Sequence, residues 1–135
     1  MLVIEGLTKR FGGFTAVSNV TFRVEEGEIL GLIGPNGSGK STTFNLVAGV
    51  YTPSAGTIRF RGEDIGGETP ARVCHRGIAR TFQIPRPFRR LSILENVALA
   101  AYYGQQGRVT REQAWAQAED ALDLIQLPLG DGIGV

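Results

Sequence analysis

The sequence predicts an α/β fold in which a buried strand leads through a glycine-rich loop into a helix. Residues 29–33 form a continuous apolar run, as expected for a central parallel strand that is covered on both faces. A loop rich in glycine follows directly, and residues 41–47 have the composition of a helix that Gly49 can terminate. Strand, loop and helix in this order predict a phosphate-binding site.

Composition limits the class of protein. The 135 residues include 14 basic and 13 acidic side chains and are 42% hydrophobic, which is typical of one soluble globular domain or part of one. We expect neither a secretory leader nor a membrane span, because no apolar run is long enough. With a formal net charge of +1, the chain is not expected to bind nucleic acid over a broad surface. A single cysteine, Cys74, excludes a disulfide framework.

Further strands and one short helix are expected around the predicted central strand. Two segments rich in β-forming residues, in which apolar and polar side chains alternate, predict antiparallel strands at 2–7 and 16–24, each with one solvated face. A short strand is predicted at 57–60, and a loop at 62–67. A short helix is predicted at 70–76, and a second buried strand at 78–82, ending before Gln83.

Beyond Pro85 and Pro87 the sequence is typical of helices. Capping boxes, in which a hydroxyl residue is followed three positions later by Glu or Gln, predict two helix starts. The pairs are Ser92 with Glu95, opening a helix to about residue 103, and Thr110 with Gln113, opening one to about residue 127. A stripe on the second helix is interpreted as a packing face. Its members are Trp115, Ala118, Leu122 and Ile125.

The loop at 34–41 matches the pattern G-x-x-x-x-G-K-[ST]. Glycines allow the backbone amides to converge on phosphate oxygens, and the following helix places roughly +0.5 charge at its N-terminus. Lys40 can reach the β- and γ-phosphates, the Ser41 hydroxyl can bind Mg²⁺, and Thr42 is placed for the α-phosphate. The candidate nucleotide-binding residues are Gly34, Asn36, Gly37, Ser38, Gly39, Lys40, Ser41 and Thr42.

Several segments together resemble the ATP-binding subunits of ABC transporters. They are GPNGSGKST at 34–42, TIRF at 57–60, RTFQ at 80–83 and LSILENV at 91–97. More narrowly, KRFGG at 9–13 and RTFQIPRPF at 80–88 resemble the subunits that energise import of branched-chain amino acids. Subunits that serve urea and short amides are similar, so these solutes stay open as alternatives.

The resemblance implies the fold and its division. It implies a P-loop NTPase core of the ABC ATPase type, with an antiparallel β subdomain and the start of a helical subdomain. Residues 1–83 would form the nucleotide-binding core and the antiparallel subdomain, with the phosphate loop at 34–42, and residues 84–135 the first part of the helical subdomain. ATP and Mg²⁺ are the implied cofactors.

Two residues outside the loop acquire roles from the resemblance. Phe11 matches the aromatic residue that stacks on adenine, with Phe14 as the fallback; the alternative for Phe11 is a core phenylalanine. Gln83 matches the glutamine whose side-chain carbonyl binds Mg²⁺ and senses the γ-phosphate; its alternative is a solvated glutamine at a strand end. Lys40 and Gln83 are therefore the catalytic candidates, and Ser41 and Gln83 the metal-binding candidates.

Partners are implied in the same way. A second ATP-binding subunit would pack head to tail, and transmembrane permease subunits would contact the region 84–96, placing the protein on the inner face of the cell membrane. This region carries Arg86, Arg89 and Arg90, which could equally be a solvated face. His75 does not match the family's switch histidine and is interpreted, like Cys74, as a surface or packing residue.

Hydrolysis requires groups that the sequence does not supply. Neither an apolar strand ending in adjacent acidic residues nor the family's signature loop follows residue 84. We therefore expect a chain that is truncated before the signature motif and is catalytically incompetent alone. The alternatives are a nucleotide-binding module that never hydrolyses ATP and a small phosphoryl-transfer kinase.

Overall fold

The computed structural model describes residues 1–104 and 107–127. The chain divides into two compact units, Met1–Val73 and Cys74–Val135. Asp131, an acidic residue of the sequence, lies outside the described residues.

The first unit contains a four-stranded antiparallel sheet. Its strands are β1 (Leu2–Phe11), β2 (Phe14–Val24), β3 (Ala55–Phe60) and β4 (Glu63–Asp64). They lie in the order β2-β1-β3-β4, and each neighbouring pair is antiparallel. The two predicted N-terminal strands are confirmed and are longer than expected, because pairing continues to the hairpin end, where Phe11 faces Phe14. The predicted loop at 62–67 contains the short strand β4.

Two helices begin in the first unit. They are α1 (Lys40–Val47) and α2 (Pro70–His75), both predicted from the sequence within one residue at each end. Gly49, with φ +73°, adopts the left-handed conformation just after α1, as expected of a residue that ends a helix. The first unit has a small apolar core from the sheet and α1. Its fully buried members include Ile4, Leu7, Leu46 and Ile58.

The two predicted buried strands are wrong. Residues 29–33 and 78–82 are not strands, and the side chains of Ile29 and Ile33 are 98% and 93% exposed. A central parallel strand is held by ladder hydrogen bonds to neighbours on both sides. No segment among the described residues pairs with either run, so the apolar side chains of Ile29 and Ile33 lie in solvent.

The second unit is built on a pair of helices, each of which begins at a predicted capping box. The helices are α3 (Ile93–Tyr103) and α4 (Arg111–Leu124), and they pack against each other. Ser92 caps α3 by accepting from the Glu95 N–H, and Thr110 caps α4 by accepting from the Gln113 N–H. The predicted packing face is confirmed at its centre, where Ala118 and Leu122 are buried.

The predicted packing face of α4 is wrong at its C-terminal end. Ile125 is exposed because α4 ends at Leu124, whereas Trp115 is half-buried. Across 1–104 and 107–127, no helix is long and apolar enough to cross a membrane.

Candidate phosphate-binding site

The backbone of the loop at 34–40 depends on glycine. Gly37 and Gly39 have φ values of +83° and +88°, in the left-handed region that other residues rarely adopt. A Cβ atom on Gly39 would lie 2.5 Å from the carbonyl oxygen of Ala16 and 3.2 Å from Val17 Cγ2. The end of the loop therefore rests directly on β2, at a separation that only glycine allows.

The N-terminus of α1 is open toward the loop. Its N-cap is Gly39, and no side chain hydrogen-bonds to this terminus as a cap. The first N–H groups of any helix lack an intrahelical acceptor, and the helix dipole makes their end positive. Thr43 ties the start of the helix to the loop, because its N–H and Oγ1 both donate to the Gly39 carbonyl, at 2.8 and 3.1 Å.

The candidate ligating residues lie along the loop and the first turn of α1. Asn36, Gly37, Ser38 and Ser41 are exposed, while Lys40 and Thr42 are half-buried. Backbone amides at a helix N-terminus and side-chain hydroxyls are groups that bind phosphate oxygens, and the Ser41 hydroxyl is the type of oxygen ligand that Mg²⁺ accepts. The chemistry of the loop therefore agrees with the cofactors expected from the sequence.

Lys40 is folded back over the loop. Its Nζ donates hydrogen bonds to the carbonyl oxygens of Gly34 and Pro35, both at 2.6 Å, and lies 3.4 Å from Ser38 Oγ. These contacts hold the ammonium group above the backbone that precedes α1. The positive charge is thus held on carbonyl oxygens at the start of the loop.

Phe11 lies at the hairpin end of β1 and is 42% exposed, against 64% for Phe14. Its ring packs at right angles to that of Tyr51, with centroids 5.1 Å apart and planes at 80°. Ala16, which contacts the loop at Gly39, follows Phe14 by two residues, or about 7 Å of strand. The aromatic end of the hairpin and the phosphate loop therefore belong to neighbouring parts of the same unit.

Sequence reasoning did not find Tyr51 or Lys9. The Lys9 Nζ lies 5.0 Å from the centre of the Phe11 ring and donates to the Thr52 carbonyl at 2.8 Å. Lys9 is one of only two lysines in the chain, and that scarcity was the available signal. Tyr51 is 40 residues from Phe11 in the chain, and nothing in its local sequence marks it.

Gln83 and the arginines of the region 84–96 belong to the second unit. All of them are exposed, and the chain that carries them is irregular rather than strand or helix. His75 is exposed and Cys74 half-buried, and the described residues contain no cluster of three or more His, Cys, Asp or Glu side chains that could hold a metal ion.

Comparison with known proteins defines the family. Residues 17–131 match the family model described as ABC transporter. This chain belongs to the ABC transporter family. The resemblance noted in the sequence is thereby confirmed.

Among curated relatives, the chain is 43% identical over 102 residues to a high-affinity branched-chain amino acid transport ATP-binding protein of Pseudomonas aeruginosa. The match covers 76% of this chain and 40% of the relative. A probable branched-chain amino acid transport ATP-binding protein of Archaeoglobus fulgidus is 38% identical over 123 residues, covering 90% and 48%. The chain thus spans less than half the length of these two relatives.

Solved structures of ATP-binding cassettes share the fold. One, an ATP-binding cassette of an ABC transporter in its ADP conformation, superposes with a TM-score of 0.78 at 33% identity, covering 93% of this chain and 54% of the other. A dimeric bacterial ABC transporter cassette also gives 0.78, at 26% identity, covering 96% and 59%. The expected fold class, an ABC ATPase core with an antiparallel sheet and the first helices of a helical part, is confirmed.

Proposed function

We propose that this chain supplies the phosphate-binding part of an ATP-binding subunit that couples ATP binding and hydrolysis to import of branched-chain amino acids. One structural observation carries the proposal: a glycine-dependent loop leads into a helix terminus that no side chain caps, with Lys40 held beside it. The names of the two curated relatives support the choice of solute. Solutes such as urea or short amides are the competing cargo.

The proposed roles follow the geometry of the loop. Backbone amides from Gly37 to Thr42 would bind phosphate oxygens, and Lys40 would leave the carbonyls it now contacts to reach the β- and γ-phosphates. Ser41 would hold Mg²⁺ through its hydroxyl, and Thr42 would bind the α-phosphate. When bound, Mg²⁺ neutralises charge on the phosphates.

Phe11 would stack on the adenine base, since part of its ring is exposed at the hairpin end. Gln83 would complete the metal site and sense the γ-phosphate through its side-chain carbonyl. With Gln83 assigned to the nucleotide site, residues 1–83 would form the nucleotide-binding core and residues 84–135 the first part of the helical subdomain.

The proposed assembly is a head-to-tail pair of ATP-binding subunits on the inner face of the cell membrane. The region 84–96 would contact the transmembrane permease subunits, with Arg86, Arg89 and Arg90 on its exposed surface. The similarity to a solved bacterial cassette that is dimeric supports the pairing of two subunits.

The first experiment tests nucleotide binding. In the intact protein, Lys40→Ala should abolish tight Mg-ATP binding measured by calorimetry, because the compact charge beside the loop is lost. Arg59→Ala is the matched control, since it removes one positive charge from an exposed position on β3 of the same unit. Equal affinity of wild type and Lys40→Ala would refute the site.

The second experiment tests the cargo. Cells that depend on the intact transporter should lose ATP-dependent uptake of leucine, isoleucine and valine when Lys40 is replaced by alanine. Normal uptake of all three, together with lost uptake of urea or amides, would reassign the cargo and leave the ATP site standing.

A further inference from the structure

Two side chains of β1, Lys9 and Phe11, and the distant Tyr51 form a cluster at the hairpin end of β1, which we call the ring cluster. Tyr51 packs against Phe11 with near-perpendicular planes, an arrangement that aromatic pairs favour because of their ring quadrupoles. The Lys9 Nζ lies 5.0 Å from the Phe11 ring centre and 5.8 Å from that of Tyr51, within the range of cation–π attraction.

The ring cluster is anchored by backbone contacts on both sides. Lys9 Nζ donates to the Thr52 carbonyl at 2.8 Å, which fixes the ammonium next to the residue that follows Tyr51. Ser54 joins the same segment to β1, because its N–H donates to the Thr8 carbonyl at 2.8 Å and its Oγ accepts from the Arg10 N–H at 3.0 Å. The tyrosine ring is therefore held at a fixed place beside β1.

This anchoring matters because Phe11 is partly exposed. An exposed phenylalanine near a hairpin turn is ordinarily free to change rotamer, and a ligand that stacks on it must then immobilise the ring. Here the neighbours of Phe11 already restrict the ring. Restriction before binding lowers the entropic cost of stacking and so raises affinity for the group that stacks.

We propose that Tyr51 and Lys9 are positioning residues that hold the Phe11 ring ready to stack on the purine base. This inference rests on the proposed nucleotide site and adds to it two residues that lie outside the loop at 34–42. It predicts that the ring cluster sets affinity for the base, whereas the loop at 34–42 sets affinity for the phosphates.

The test compares two ligands in the intact protein, ATP and inorganic tripolyphosphate, which lacks the base. Tyr51→Leu should weaken ATP binding by about threefold to tenfold, the size of a typical aromatic pair interaction, and leave tripolyphosphate binding unchanged. Tyr51→Phe, which keeps the ring and removes only the hydroxyl, should bind ATP like wild type. Equal weakening of both ligands, or no change in either, would overturn the positioning role.

A double substitution shows whether Tyr51 acts through Phe11 or by contacting ATP itself. In a Phe11→Ala background, Tyr51→Leu should have no further effect on ATP affinity, because the ring that it positions is gone. A full additional loss would mean that Tyr51 acts independently of Phe11, contrary to the inference. Lys9→Met provides the same comparison if Tyr51→Leu does not fold, as checked by thermal unfolding.

The outcomes also distinguish this inference from the proposed function. Failure of wild type to bind either ligand would refute the nucleotide site itself. Tight wild-type binding of both ligands, with Tyr51→Leu and Lys9→Met unchanged, would refute only the positioning role.

Discussion

Replacing Gly39 by alanine should destabilise the first unit far more than the same change at Gly37, although both are loop glycines with positive φ. At either position alanine must adopt the left-handed conformation, which costs roughly 1–2 kcal/mol. At Gly39 the new Cβ would also lie 2.5 Å from the Ala16 carbonyl oxygen, whereas at Gly37 nothing lies within 4 Å. Overpacking of this kind adds about 1–3 kcal/mol.

The expected loss in the free energy of unfolding is therefore about 2–5 kcal/mol for Gly39→Ala and about 1–2 kcal/mol for Gly37→Ala. Alanine also reduces the conformational entropy of the unfolded chain, but this effect is common to both variants and cancels in their difference. Urea unfolding of both intact variants without ligand measures that difference. Equal losses, or a larger loss for Gly37→Ala, would refute the argument that contact between the loop and β2 requires glycine at position 39.

Three further changes test packing and capping. Ile58→Ala should lower the free energy of unfolding by about 2–5 kcal/mol, because the side chain is fully buried. Arg59→Ala, on the exposed side of β3, should change the same free energy by no more than about 0.5 kcal/mol. Urea unfolding of the two variants measures both values. Thr110→Ala should cost about 0.5–2 kcal/mol and reduce helicity by circular dichroism, since the hydroxyl accepts from the third helical N–H; unchanged stability would refute the cap. Hydrogen bonds from the Ser92 backbone N–H and then from its hydroxyl lower the pKa of Glu95 below its usual 4.5. The stability that this carboxylate gives the folded protein is therefore complete above about pH 4.5 and is lost as the pH falls through the lower pKa of the folded state. Glu95→Gln should remove this part of the pH dependence of the unfolding free energy, and an unaltered pH profile would contradict the assignment.

Local features of the fold could be predicted from the sequence because short-range contacts determine them. The capping boxes of Ser92 and Thr110 satisfy backbone donors within three residues, so they mark helix starts wherever the rest of the chain lies. The loop at 34–42 was recognisable because its pattern of glycines and lysine lies within a few adjacent residues. Alternation predicted β1 and β2, whose pairing needs only a short turn.

The predictions that failed concern long-range pairing and the end of a helix. Residues 29–33 have the apolar composition of a central strand, yet a strand exists only where neighbours supply ladder hydrogen bonds, and among the described residues none do so. The end of the packing face at Ile125 failed because the helix stops at Leu124, and helix ends are poorly determined by periodicity.

Adjacent residues were enough to predict a glycine-rich loop with its lysine and hydroxyl residues, and membership of the ABC transporter family. The residues that surround this loop and Phe11 could be identified only from the folded chain. The tertiary structure placed Tyr51 and Lys9 against Phe11, and it set Gly39 on the Ala16 carbonyl. The physical reason is that a motif is encoded by adjacent residues, whereas a contact between residues 40 positions apart, such as Phe11 and Tyr51, depends on how the sheet and α1 pack.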